Sequence, residues 1–535
     1  MDALLAFKQG INSDPNGILA SWRSDGHGHE EDCCRWRGVR CSNRTGHVVE
    51  LRLGNTDLYD GYALVGEISD SLLSLEHLEY LDLSMNSLEG SSGRIPDLLG
   101  SFNNLKYLNL SGIPFTGRVP PHLGNLSKLQ YLDISGTQST FSLDLIWLTR
   151  LQFLQYLNLQ AVNLSATSAN WPHVVNMIPS LKFIDLSDCF LTSANQTLGQ
   201  LNLTSLGWLD LSENYFRHQI ASCWFWNLTG LKHVNLQFTG MYGHLPPALG
   251  SMISLQFLDL SYSILTLPMI SLKNLCSLRI LNLETCFSYG NITGLFERLP
   301  RCSPCKLQEL HLQLNNLTGH LPESIGNFTS LMSLDLSNNN FTGDVPYEIG
   351  VLTDLSSLNL GYNSFDGVIT EKHFGFLSNL QSLYLSDTSL KIEISSEWQP
   401  PFRLQYADFG NSKLGPSFPV WLRWMVGVYY LDISGTGIND RIPHWFSSTF
   451  SNCSFLDLGR NQIFGDLPRD MEMMSVERLY LNSNNFNWSS TTIATKPNPS
   501  GHLRELTIGT VTLKSWIFKT DRVDPILKPH QRSYS

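Results

Sequence analysis

Charge is scarce in this chain: Asp, Glu, Lys and Arg together make up 16% of its 535 residues. With 36 basic against 47 acidic side chains the formal net charge is −11, so no polybasic footprint is on offer to nucleic acid or to an anionic lipid surface. Long apolar runs are missing too. The best stretch, residues 424–431, is bounded by Arg423 and Asp432 and falls far short of the roughly 18 residues a membrane helix needs. The apolar run 3–7 is too short for a signal-peptide core and has neither a basic start nor a cleavage site, so the expectation is either a cytosolic protein or a chain whose front end is absent. No GxSxG, HExxH, GxxxxGK, strand-linked GxGxxG or kinase signature occurs, and each of these is what would place a nucleophile, metal, phosphate or hydride carrier. The expectation is a protein that is not an enzyme and takes no cofactor.

What the chain does have is a repeat. The pattern LxxLxLxxNxLxGxIP returns about every 23 to 25 residues and is clear from Leu307 to Pro322, LQELHLQLNNLTGHLP. Such a unit is one short strand plus a return segment that cannot bury its own leucines, so a core exists only where neighbours stack. The predicted fold is an α/β repeat solenoid, a leucine-rich-repeat superhelix with a parallel β-sheet on its concave face and an N-terminal cap. The expected divisions are a cap over 1–46, about eighteen repeats over 47–490, and a linker, one degenerate repeat and an unmatched tail over 491–535. At about 4.8 Å per strand the array is expected to run on the order of 80 Å.

The front end reads as a lid for the first repeat. Residues 2–11 have the spacing of a short amphipathic helix, with Asp2 as N-cap and Leu4, Leu5, Phe7 and Ile11 on its buried side. The segments ALLAFK, DPNG, LASW, CCRWRGVRC and GHVVELRL, followed by repeats of the LxGxIP type such as FTGDVP at 341–346, resemble the plant-type cap and repeats of extracellular leucine-rich-repeat receptors. Over nearly all of residues 1–490 the chain is similar to plant receptor-like proteins of the Cf and fungal-xylanase-receptor types. That resemblance implies a disulfide between Cys34 and Cys41. It also implies a cysteine upstream of the helix to pair with Cys33; none precedes it here, in keeping with a chain expected to be truncated at both ends.

The other cysteines have their own readings. Cys189 and Cys286 stand at the Asn position of their repeats, a buried slot filled elsewhere by Asn86, Asn214, Asn315, Asn339, Asn363, Asn461 and Asn484 or by Thr137, Thr239, Thr388 and Thr436. They are expected to be ladder residues bonding the turns. Cys302 and Cys305 are either half of a zinc site or, for Cys302, one end of a bridge to Cys276. His27 and His29 are either metal ligands or members of a solvated loop.

Two stripes mark the concave face. The third position of successive repeats carries Tyr80, Tyr107, Tyr131, Tyr156, Phe183, Trp208, His233 and Phe257, which suits either a stacking ladder or a binding surface. The eighth position carries Phe238, Tyr262, Leu314 and Tyr362, flanked by Gln237, Glu284, His311 and Gln313. Exposed apolar residues rimmed by polar ones suit a protein-binding face, and drift in a tolerant scaffold is the alternative. The ligand-binding candidates are therefore Phe238, Tyr262, Glu284, His311, Gln313, Leu314 and Tyr362, with no catalytic or metal residues.

About thirteen N-x-S/T acceptors point with the cysteines to a secretory route. Asn43, Asn125, Asn195, Asn202, Asn227, Asn291, Asn327 and Asn487 are the glycosylation candidates. The function expected is ligand recognition by the ectodomain of a receptor-like protein on the extracellular face of the plasma membrane. The ligand would be a protein, peptide or glycan on the concave face, with a partner kinase implied by the resemblance and no nucleic acid. The alternatives are a secreted inhibitor of microbial cell-wall hydrolases, similar to polygalacturonase-inhibiting proteins, and a non-functional receptor gene fragment.

Overall fold

Three residues of each repeat form a strand, because the x-Leu-x alternation sends the leucine inward and its two neighbours to the opposite face. In Tyr80–Asp82 the central Leu81 is fully buried while Tyr80 and Asp82 are half-exposed, and the pattern repeats in Tyr107–Asn109 and Tyr156–Asn158. The strand stops where the eighth position turns into the left-handed region, as at Met85, Phe238, Tyr262 and Leu314, whose φ values are 55°, 54°, 59° and 56°. Proline then opens the return segment. Pro121 and Pro247 start 3-10 turns at Pro121–Asn125 and Pro247–Ser251, where a missing N–H costs nothing, and Leu123 and Leu249 are buried beneath them.

A computed structural model describes residues 1–23, 32–55, 62–137, 139–267, 269–468, 470–471 and 474–487, together with the backbone of Glu505–Ile508 and Val511–Leu513. The chain divides into two compact units, Met1–Thr342 and Gly343–Ser535. In the first, twelve described strands from Val48–Arg52 to Ser333–Asp335 pair in parallel, and Val39–Cys41 joins the front edge antiparallel. Register is set by repeat position, so that Tyr80 faces Tyr107 and Tyr107 faces Tyr131. The second unit has seven such strands, from Ser357–Asn359 to Glu505–Ile508, and Val511–Leu513 returns antiparallel on the last.

Between the sheet and the return segments, polar ladder residues tie one turn to the next. Asn214 donates through Nδ2 to the carbonyls of Leu186 at 2.8 Å and Leu211 at 2.9 Å, while its Oδ1 accepts from the amides of Cys189 and Leu191. Asn86, Asn315 and Asn461 repeat the arrangement, and Thr137, Thr239, Thr388 and Thr436 each donate to a carbonyl three residues back. Cys189 and Cys286 take the same slot, their Sγ atoms 3.1 Å and 3.0 Å from the carbonyls of Leu159 and Leu260.

The cap differs from the sequence expectation in its helix. The helix is Asp2–Gln9 with Met1 as N-cap, so Asp2 sits in the first turn and acts on the exposed amides by charge alone. Leu4 and Phe7 are buried, whereas Leu5 is half-exposed. Ile11 has left the helix and opens the strand Ile11–Ser13, which pairs antiparallel with Val65–Glu67. The break falls at Gly10, whose carbonyl accepts from Glu67 N at 2.9 Å instead of continuing the helical ladder. Trp22 stacks on Trp36 at 5.6 Å and donates to the Arg37 carbonyl, which fixes the cap loop against the first repeat.

Candidate functional site

The eighth position of each repeat is built for a residue that tolerates positive φ. Asn338, Asn411, Gly112, Gly136 and Gly435 occupy it in some repeats at φ values of 54° to 72°, and Met85, Glu213, Asp387 and Arg460 take it with larger side chains in others. A bulky side chain in this region is a true outlier, since its Cβ crowds the following carbonyl at a cost of roughly 1–2 kcal/mol. Phe238, Tyr262 and Leu314, like Met85 and Arg460, therefore carry a backbone cost at this slot. They are also well placed for contact: Phe238 and Leu314 are each 48% exposed.

Phe238 and Tyr262 stack at 3.8 Å with ring planes 18° apart. Tyr262 Oη donates to Glu284 Oε1 at 2.8 Å, and Gln313 Nε2 donates to Glu284 Oε2 at 2.9 Å, so four of the candidates form one connected chain. Burial, then the bond to Glu284, pushes the Tyr262 hydroxyl up to about 12, and it stays a donor at neutral pH. Gln313 Oε1 is buried with no hydrogen-bond partner among the described residues, an acceptor left for a ligand or water. His311 is not bonded into this chain of contacts; its Nε2 pairs with Glu309 Oε2 at 3.2 Å. Leu314 stands at the same left-handed position two repeats beyond Tyr262, with Thr285 between them. Tyr362, 54% exposed at φ 54°, belongs to the second unit.

The third-position aromatics form an uninterrupted stack. From Tyr80 through Tyr107, Tyr131, Tyr156, Phe183, Trp208 and His233 to Phe257, successive ring centroids lie 3.3–5.3 Å apart. Arg52 closes the front end, its guanidinium 4.0 Å from the Tyr80 ring centroid. Each ring covers its neighbour's face and shows an edge to solvent. Reading by stripe missed the row beside it: the second position carries Lys182, Lys232 and Arg279, all exposed. Aligning the repeats by position is the signal that would have found them.

Cys34 is bonded to Cys41 with Cα atoms 5.3 Å apart, and Cys33 is a free thiol. Cys276 is bonded to Cys302, which takes Cys302 out of any zinc site, and Cys305 is buried. Among the described residues Cys33, Cys34 and Cys41 are the one grouping of metal-ligand type, and two of its three sulfurs are already in the disulfide. His27 and His29 lie outside the described residues. Asn43, Asn125, Asn195, Asn202, Asn227, Asn291, Asn327 and Asn487 are all exposed; Asn291 also caps the helix Ile292–Phe296, accepting from Thr293 N at 2.9 Å. No helix among the described residues is long and apolar enough to cross a membrane.

The family described as leucine rich repeat N-terminal domain matches residues 1–42, and leucine rich repeat families match 77–102, 104–126 and 305–365. These matches and the fold identify the chain as a leucine-rich-repeat protein, and its sequence is similar to plant receptor-like proteins. It is 35% identical to Receptor-like protein EIX1 of Solanum lycopersicum over 87% of this chain and 52% of that protein. To Receptor-like protein EIX2 of the same plant it is 36% identical over 91% of this chain and 54% of that protein. The chain thus spans about half the length of the curated relatives it matches. Both relatives are described as receptor-like proteins. Among solved structures it resembles the Arabidopsis receptor kinase HAESA, in complex with the peptide hormone IDA and the co-receptor SERK1 (TM-score 0.65, 25% identity, 91% of this chain and 86% of that one). The fold is also that of a TDR receptor, with a TM-score of 0.63, 23% identity, and coverage of 81% of this chain and 72% of that chain.

Proposed function

We propose that this chain is the ligand-recognition part of a plant receptor-like protein, displayed on the extracellular face of the plasma membrane and acting in defence signalling through a partner kinase. The observation that carries the reading is the stacked pair of exposed Phe238 and half-buried Tyr262 at left-handed backbone positions, with exposed Leu314 two repeats beyond Tyr262. Aromatic side chains are held there at a backbone cost that Gly or Asn would avoid, and aromatics commonly dominate binding energy in such patches. Glu284 and Gln313 supply a polar rim with an acceptor still unused. The likeness to HAESA, solved with a peptide hormone and a co-receptor, supports a peptide or extended protein segment as ligand and a second receptor as partner. The receptor-like relatives favour this reading over a secreted hydrolase inhibitor.

The test is selection of binding peptides from a displayed random library against the full chain, followed by affinity measurement on Phe238→Asn with Tyr262→Asn. The expected result is a loss of tenfold or more for the enriched peptides. Equal binding to the double variant, or failure to enrich any peptide, would sink the assignment.

A further inference from the structure

A second surface lies on the same strands but on the other side of the aromatic stack. Lys182, Lys232 and Arg279 stand at the second position of alternate repeats, with Gly207 and Gln256 between them and Gln308 beyond, and together with the ring edges they line an open groove of about 670 Å³. At about 4.8 Å per strand the cations recur roughly every 10 Å. None of the three has an ion-pair partner among the described residues, and only Lys182 has a side-chain partner, the Gln155 amide at 2.8 Å. In a chain of net charge −11, three neighbouring unpaired cations mark a local exception.

The groove also contains a polar atom without a partner. His233, 9% exposed and clamped between Trp208 at 3.3 Å and Phe257 at 4.0 Å, has its Nε2 buried and unbonded. Burial lowers its pKa to about 4, so at neutral pH the ring is uncharged and offers one donor or acceptor to whatever lies in the groove. The ring faces are covered by one another, and the edges they present carry the positive end of the aromatic quadrupole. Both features favour an electron-rich, anionic ligand.

The backbone decides what kind. The carbonyls of Lys182, Gly207, Lys232, Gln256 and Arg279 each already accept two amides from the following repeat, at 2.7–3.1 Å. A peptide laid along this lip therefore finds no main-chain partner of the kind strand addition requires. What remains available are ammonium, guanidinium, amide and imidazole groups, suited to pendant carboxylates and hydroxyls. We propose that this groove binds a linear acidic oligosaccharide, carrying a carboxylate on each sugar ring, which Lys182, Lys232 and Arg279 hold by its carboxylates while Gln256, Gln308 and His233 Nε2 bond its hydroxyls. The site is independent of the Phe238 patch.

The test is calorimetric titration of the full chain with dodecagalacturonate, neutral cellohexaose and a twelve-residue polyglutamate. Dodecagalacturonate is expected to bind, to weaken tenfold or more between about 50 and about 500 mM salt, and to lose tenfold or more in Lys232→Gln with Arg279→Gln at unchanged melting temperature. Cellohexaose is expected to give no heat. His233→Phe, which keeps a ring in the stack, is expected to lose threefold or more, and Phe238→Asn with Tyr262→Asn to lose nothing. Absence of dodecagalacturonate binding, or undiminished binding by the Lys232 and Arg279 double variant, overturns the proposal. Polyglutamate binding as tightly as the uronate would overturn it in favour of an acidic peptide.

Discussion

Replacing Phe238 and Tyr262 together by asparagine should leave the stability of the array almost unchanged, and the sum can be worked from the structure. Each replacement relieves a bulky side chain at φ 54° or 59°, worth roughly 1–2 kcal/mol, and Asn338 and Asn411 show that asparagine is at home in this slot. Against that, the ring stack at 3.8 Å contributes about 0.5–1.5 kcal/mol and the Tyr262–Glu284 hydrogen bond, made to a carboxylate, about 1.5–3 kcal/mol. Phe238 is half-exposed, so little apolar burial is lost. The opposing terms are equal in size, and the net change expected is within about 1 kcal/mol. Guanidinium unfolding followed by circular dichroism measures it, with Leu258→Ala as the contrast, since that fully buried residue on the strand between them should cost about 2–5 kcal/mol. A loss above about 3 kcal/mol in the double asparagine variant would show that the pair supports the scaffold and would refute the reasoning.

Asn315→Ala should cost about 3 kcal/mol or more in the same assay, because it strands the Leu283 carbonyl and the Cys286 and Phe287 amides in a buried turn, while the Leu312 carbonyl keeps its bond from Asn339 Nδ2. In the second unit, burial and then the neighbouring Asp432 raise Asp408 to about 6, so its contribution to stability is complete below its unfolded value near 3.9 and is lost as pH rises through 6. Asp408→Asn, which retains an acceptor for Gly410 N and a partner for Ser386 Oγ, should therefore raise the melting temperature at pH 7.5 and give no gain near pH 4. When the chain is expressed behind a secretory leader, glycopeptide mapping should find Asn43, Asn125, Asn195 and Asn327 occupied. Asn109 should remain bare, since it sits on the concave strand with its side chain bonded to Ser111 N at 3.0 Å and Oγ at 2.8 Å.

The solenoid was legible because its determinants are periodic: leucines at fixed positions report strand and return, and Asn, Thr and Cys at one slot report the ladder. The aromatic stack was legible for the same reason, since in-register pairing brings equal repeat positions together. Less could be read where residue type does not reveal conformation. The eighth slot holds Phe238, Tyr262 and Leu314 as well as Gly112 and Asn338, and only the backbone shows that all share a left-handed turn that suits the last two. The bond from Tyr262 to Glu284 joins residues 22 apart, and the row of Lys182, Lys232 and Arg279 spans about a hundred residues, so neither forms a local motif. At the front, Leu4 and Phe7 fixed a buried helical face, but the helix ends at Gly10 because a strand 55 residues later takes its carbonyl.

Side-chain oxidation by hydroxyl radicals, with and without a peptide selected on the full chain, tests the central claim most directly by reporting where the ligand sits. Phe238 and Tyr262, together with exposed Leu314, should react in the free chain and lose reactivity when the peptide is bound, while Tyr242, Ile264 and Tyr289, exposed elsewhere on the same unit, should react equally in both. Protection of Tyr242, Ile264 or Tyr289 with Phe238 and Tyr262 unchanged would contradict the account.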